Sequence, residues 1–153
     1  MKLPTTLLVP VDFSATSEAA LAFAVELAKP LRARLVVMHA YELPTYGYPG
    51  TFLTTPDVTS TIRDAAQSGL DAMIARFEKQ DVKIDSVLRQ GAPADETNAV
   101  ATEMGAGMIV IGTHGRTGFA RLLMGSVAEK IVRSAVIPVV TVRAEPSAPV
   151  AAA

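Results

Sequence analysis

What most constrains this chain is an alternation, sustained to its end, between short apolar runs and longer segments whose apolar residues recur every three or four positions. Continuous apolar runs fit strands buried on both faces, whereas three-to-four spacing fits helices with one buried face. Thr6 to Val11 reads as a strand. Ala20, Phe23, Ala24, Leu27, Ala28 and Leu31 then mark a helix that Pro30 is expected to stop. Arg34 to His39 is a second strand, and residues 40–57, punctuated by Pro44, Gly47, Pro49, Gly50 and Pro56, form a long loop that holds all three tyrosines. Ile62, Ala65, Ala66, Leu70, Met73, Ile74 and Phe77 give a second helix, and Val82 to Leu88 a third strand. Pro93 with Asp95 and Glu96 opens a third helix, since proline needs no donor in the first turn and acids suit the positive dipole end. Met108 to Ile111 is the fourth strand, Ser126 to Ser134 the last helix and Val136 to Val142 the fifth strand.

That order predicts a single-domain, doubly wound, five-stranded parallel sheet with helices on both faces. The domain spans residues 1–143, and the Pro/Ala-rich residues 144–153 read as a flexible tail. In such sheets ligands bind beyond the carboxyl ends of the strands, where connections leave for opposite faces. That rule points at Asp12 to Ser14 and at Gly112 to Gly125. Pro138 places the fifth strand at an edge, because proline donates nothing to a ladder.

Composition removes several classes of function. No run approaches the ~20 apolar residues of a membrane helix, and without cysteine there is no disulfide, thiol nucleophile or thiolate metal site. Met1-Lys2-Leu3-Pro4 is a poor secretory signal, so a cytoplasmic protein without a membrane partner is expected. A net charge of −1 argues against nucleic acid as a partner. The charge is uneven, however. Residues 1–111 carry nine Lys/Arg against thirteen Asp/Glu, while residues 112–143 carry Arg116, Arg121, Lys130, Arg133 and Arg143 against Glu129 alone.

The positive segment coincides with the loop from Gly112 to Val127, which leaves an apolar strand and enters a helix. Glycines there permit positive φ and a close approach to a ligand. Ser126 and Glu129 have the spacing of a capping box, and a helix start with free N–H groups suits phosphate, with Arg116 adding a charge-assisted contact. A glycine-containing connection with an ordinary cap is the plain alternative. The loop is neither a P-loop, lacking G-x-x-x-x-G-K-[ST], nor a dinucleotide fingerprint, lacking G-x-G-x-x-G.

Gly112, two residues, Gly115, nine residues, then Gly125-Ser126 resembles the G-x2-G-x9-G-[ST] signature of ATP-binding universal stress proteins. Leu7 to Ser14 (LLVPVDFS), Leu35 to Ala40 (LVVMHA) and Ile137 to Val140 (IPVV) resemble that family's first, second and last strands, so the likeness runs from Leu7 to Arg143. The resemblance implies a Rossmann-like fold of the adenine nucleotide alpha hydrolase type. It also implies ATP, or AMP or cyclic AMP, as ligand. Val11 and Asp12 would line the adenine and ribose side, Ala40 would meet the adenine edge through its backbone, and Gly112 and Gly115 would lie along ribose and α-phosphate. Gly125, Ser126 and Val127 would hold the outer phosphates, with Mg²⁺ bridging them. The family also implies a homodimer formed through the last strand, Val136 to Val142. Residues 41–57 inherit no role.

Other residues carry weaker signals. Asp12 as a phospho-acceptor requires an aspartate after the third strand and a lysine after the fifth; Leu88-Arg89-Gln90 and Val142-Arg143 stand there instead. His114 suits a general base by its ordinary pKa, yet has no evident partner. His39 reads as structural, and Ser14 as the N-cap of the first helix with Glu18 in its first turn. Tyr41, Tyr46, Tyr48 and Phe52 are candidates to cover a base or a partner subunit. The expected function is therefore a nucleotide-binding stress-response regulator and not an enzyme. The alternatives are a nucleotide-free dimeric module and a slow ATP hydrolase.

Overall fold

The computed structural model describes residues 3–44, 56–113 and 124–144. Five strands, β1 (Thr6–Pro10), β2 (Arg34–Tyr41), β3 (Ile84–Gln90), β4 (Met108–Gly112) and β5 (Val139–Val142), alternate with four helices, α1 (Ala15–Leu31), α2 (Pro56–Ala75), α3 (Pro93–Glu103) and α4 (Ser126–Ser134). The strands form one sheet in the order β3-β2-β1-β4-β5, and every neighbouring pair is parallel. Successive residues of each strand face opposite sides, so the continuous apolar runs feed two cores. Leu7, Val9, Leu35, Val37 and Val110 pack with Ala20, Leu21, Ala24, Val25 and Ala28 of α1 and Leu70 and Met73 of α2. Leu8, Val36, Met38, Ile109 and Ile111 pack with Ala94, Val100 and Ala101 of α3 and Ala128 and Ile131 of α4. The sheet is doubly wound.

Chain direction across the sheet reverses between β1 and β4. From β1 the chain steps outward through β2 to β3, and α3 then carries it back to β4 on the other side of β1. The carboxyl ends of β1 and β4 thus lie side by side with their following helices on opposite faces. At the far ends of the strands, Arg34 fastens the layers: its guanidinium donates to Asp85 Oδ2 (3.0 Å), Thr6 Oγ1 (3.2 Å) and Met104 O (3.1 Å).

Several boundaries differ from the sequence reading. Pro30 does not stop α1, which runs to Leu31 and ends on Arg32 in the left-handed region (φ 50°) with its N–H donating to Lys29 O and Ala28 O. A proline in the last turn removes one donor, but the cap satisfies the final carbonyls. β2 extends to Tyr41, and α2 starts at Pro56 with Asp57 in its first turn, so the connection between them is shorter than residues 40–57. β3 begins at Ile84 rather than Val82 and ends at Gln90. β5 begins at Val139, not Val136: Ala135 closes α4, and Pro138 enters the ladder only through its carbonyl, which accepts from Ile109 N (2.9 Å). β5 is an edge strand, as Pro138 suggested. No described helix is long and apolar enough to cross a membrane.

Candidate functional site

A cavity of about 280 Å³ opens at the reversal point, just below the roughly 300–1,000 Å³ usual for small-molecule sites. Its walls come from the ends of β1 (Pro10, Val11, Asp12), β2 (Met38, Ala40) and β4 (Ile111, Gly112, Thr113), together with residues near the starts of three helices. Those are Ser17 of α1, Pro93 and Thr97 of α3, and Gly125 to Ala128 at α4. Parallel strands followed by helices put several helix N-termini at one edge, and their free N–H groups and dipoles give that edge a positive character without any cation.

Of the nine residues expected at the site, Val11, Asp12, Ala40, Gly112, Gly125, Ser126 and Val127 line this cavity together. Gly115 and Arg116 lie outside the described residues, as do His114, Arg121, Tyr46, Tyr48 and Phe52. Lys130, Arg133 and Arg143 do not line the cavity, and Arg133 pairs with Glu129 (2.9 Å) on the exposed side of α4. Among the described residues, then, the positive charge of the segment is not what faces the site.

Asp12 is the one ionisable side chain among the described lining residues. Its Oδ1 accepts from Ser14 N (3.0 Å) and Ser14 Oγ (2.5 Å). The Ser14 hydroxyl also accepts from Ser17 N (3.2 Å), capping α1 as its place in the sequence suggested. Ser17 Oγ donates to Ser14 O (3.0 Å) and accepts from Asp12 N (3.3 Å). The acid is therefore held by the helix cap that follows it.

At α4 the expected capping box does not form. Gly125 is the N-cap, in extended backbone (φ −73°, ψ 157°), and Ser126 is the first helical residue. One residue of register separates the two arrangements. Because Ser126 lies inside the helix, its hydroxyl is not committed to a cap, and the N–H groups of Ser126, Val127 and Ala128 precede the first intrahelical bond, Glu129 N to Gly125 O (2.9 Å). Gly125 N donates to Thr113 O, tying the start of α4 to the end of β4.

The glycines act differently from expectation. Neither Gly112 nor Gly125 has positive φ. A Cβ on Gly112 would sit 2.8 Å from Thr16 O and 2.9 Å from Thr16 C, so this glycine lets the first turn of α1 close on β4. The left-handed residue at the site is instead Phe13 (φ 65°), between Asp12 and Ser14. Thr97 and Thr113 were not singled out in the sequence, and they line the cavity together with Ser17 of the α1 cap. All three are buried, and Thr97 Oγ1 donates to Pro93 O (2.6 Å) inside α3. A hydroxyl at a helix start gives no sign in sequence of which way it faces.

This is an α/β protein of Rossmann-like topology with its site at the reversal point of a parallel sheet. The universal stress protein family profile matches residues 5–143, and the chain belongs to that family. A universal stress protein of Bacillus subtilis is 31% identical over 144 residues, covering 90% of this chain and 97% of that one. The structure of a universal stress protein from Lactobacillus plantarum superposes with a TM-score of 0.77 at 26% identity, over 91% of this chain and 97% of that one. The universal stress protein of Archaeoglobus fulgidus in complex with dAMP superposes at 0.66 with 25% identity, over 92% of this chain and 99% of that one.

Proposed function

We propose that this protein is a non-catalytic adenine-nucleotide-binding regulator that holds ATP, or AMP or cyclic AMP, in the cavity between β1 and β4. The observation that carries this reading is the convergence of Asp12, Ala40, Gly112 and the first turn of α4 on one cavity. Val11, Met38, Ala40 and Ile111 offer an apolar surface for a base. Asp12, with both its hydrogen bonds on Oδ1, has Oδ2 for a ribose hydroxyl. Phosphates fit the free N–H groups of Ser126, Val127 and Ala128 with the Ser126 hydroxyl beside them. Gly115 and Arg116 complete the glycine signature in sequence, and we assign them to the phosphate path on that ground. The complex of the Archaeoglobus relative with dAMP supports an adenine nucleotide as the ligand class.

A magnesium ion fits only as a companion of the phosphates. The described residues hold no cluster of three His, Cys, Asp or Glu side chains, and Mg²⁺ accepts such sites because it retains water and phosphate oxygens. Asp12 alone, without a second acid or base among the described lining residues, supports binding rather than turnover. We further propose a homodimer through β5, which lies at the edge of the sheet, with Val132 (43% exposed) and Val136 (95% exposed) as exposed apolar residues in the segment that leads into it. Calorimetric titration with ATP, AMP and cyclic AMP tests the binding reading. Saturable binding to the wild type that Asp12→Ala weakens supports it, and binding of none of the three refutes it.

A further inference from the structure

Phe13 does not line the cavity, yet it occupies the most constrained backbone position beside it. A left-handed conformation is unfavourable for a bulky residue and persists only where the surroundings over-determine it. Those surroundings are all present. The Phe13 ring lies 4.3 Å, centroid to centroid, from the His39 ring of β2. Its outer edge meets α2 at Gly69, where an added Cβ would stand 3.0 Å from Phe13 Cζ and 3.1 Å from Cε2. His39 in turn reaches back to the same loop through Nδ1 and Val11 O (2.7 Å), and because a carbonyl only accepts, Nδ1 carries the proton. To the same strand, Val11 N donates to Met38 O (2.8 Å).

Val11, Phe13 and Ser14 are therefore tied to three surrounding elements, β2, α2 and α1. Val11 is held by β2 through both its N–H and its carbonyl, Phe13 by β2 and α2, and Ser14 by α1. Asp12 lies between these anchors, and among the described residues its carboxylate is held by Ser14 alone. We propose that Phe13, clamped between His39 and Gly69, is a positioning residue that sets the orientation of Asp12 toward the bound nucleotide. This rests on the nucleotide reading above. It gives α2 a part in the site that no α2 residue has by contact, and it accounts for a glycine in the middle of an amphipathic helix, where glycine is otherwise unfavourable.

The test measures ATP affinity by calorimetry, with thermal unfolding alongside, for the wild type, Asp12→Ala, Phe13→Ala, Gly69→Val and the two double variants with Asp12→Ala. Gly69→Val drives γ-methyls into the space of the Phe13 ring while improving helix propensity. Phe13→Ala and Gly69→Val should each weaken ATP binding about tenfold, the scale of one misaligned hydrogen bond to a charged group. In the Asp12→Ala background either change should alter affinity by less than about twofold, because a residue acting through Asp12 has nothing left to orient. A merely structural role gives equal losses in both backgrounds and overturns the proposal. So does wild-type affinity in Phe13→Ala and Gly69→Val when Asp12→Ala is impaired. If Phe13→Ala does not fold, Gly69→Val and its double variant decide. A wild type that binds no ATP removes the nucleotide reading itself, and this proposal with it.

Discussion

Gly112→Ala tests whether the first glycine of the signature serves packing rather than backbone freedom. The new Cβ falls 2.8 Å from Thr16 O, 2.9 Å from Thr16 C and 2.9 Å from Thr16 Cγ2. Ordinary carbon contacts begin near 3.4 Å, so the first turn of α1 must retreat by roughly 0.6 Å. Two of the three atoms are backbone, and no rotamer change relieves them. Overpacking of this kind costs about 1–3 kcal/mol. Gly112 has no positive φ, so alanine also recovers about 0.4–1 kcal/mol by restricting the unfolded chain. The net expectation is a loss of about 1–2 kcal/mol, or a Tm lower by roughly 2–8 °C for a chain of this size. Urea unfolding with an unchanged m-value is the assay. Thr16→Ser removes only Cγ2 and should leave most of the penalty in the double variant. Wild-type stability in Gly112→Ala, or full recovery by Thr16→Ser, would refute the reasoning.

Three further changes separate parts of the site. Ser14→Ala removes the α1 cap and the bond to Asp12 Oδ1 together, so stability should fall by about 1 kcal/mol and nucleotide affinity with it, while Ser14→Thr restores both; denaturant midpoints and calorimetry check this. Thr97→Val keeps the shape of a fully buried side chain but deletes its bond to Pro93 O, and should cost about 1 kcal/mol in chemical denaturation. Arg34→Leu breaks the ties to Asp85, Thr6 and Met104 O at the opposite ends of the strands. It should lower stability by about 1 kcal/mol, modest because the pair is partly exposed, with nucleotide affinity unchanged by calorimetry.

Much of the fold was readable because parallel strands buried on both faces leave unbroken apolar runs. Leu7 to Val9, Leu35 to Met38 and Ile109 to Ile111 are such runs, and their order fixed the reversal point where Asp12 and Gly112 meet. What escaped was governed by single residues of register and by contacts distant in sequence. The Ser-x-x-Glu spacing at Ser126 fits a capping box, but Gly125 N is drawn to Thr113 O and the helix starts one residue earlier than that motif requires. Pro30 is a helix breaker in general, and Arg32 in the left-handed region carried α1 past it. The start of α2 was marked by Pro56 and Asp57, a signal overshadowed by the prolines before it. Nothing local announces that Phe13 takes the conformation expected of glycine. That follows from His39 and Gly69, which reach it from β2 and α2.

The central claim is that the Asp12–Gly112–Ser126 cavity holds an adenine nucleotide. Mass spectrometry of the small molecules released by heat from freshly purified protein, followed by calorimetric titration of the stripped protein with ATP, tests it most directly. An adenine nucleotide in the released fraction, or saturable ATP binding weakened in Asp12→Ala, is the expected result. No released nucleotide together with no ATP binding would contradict it.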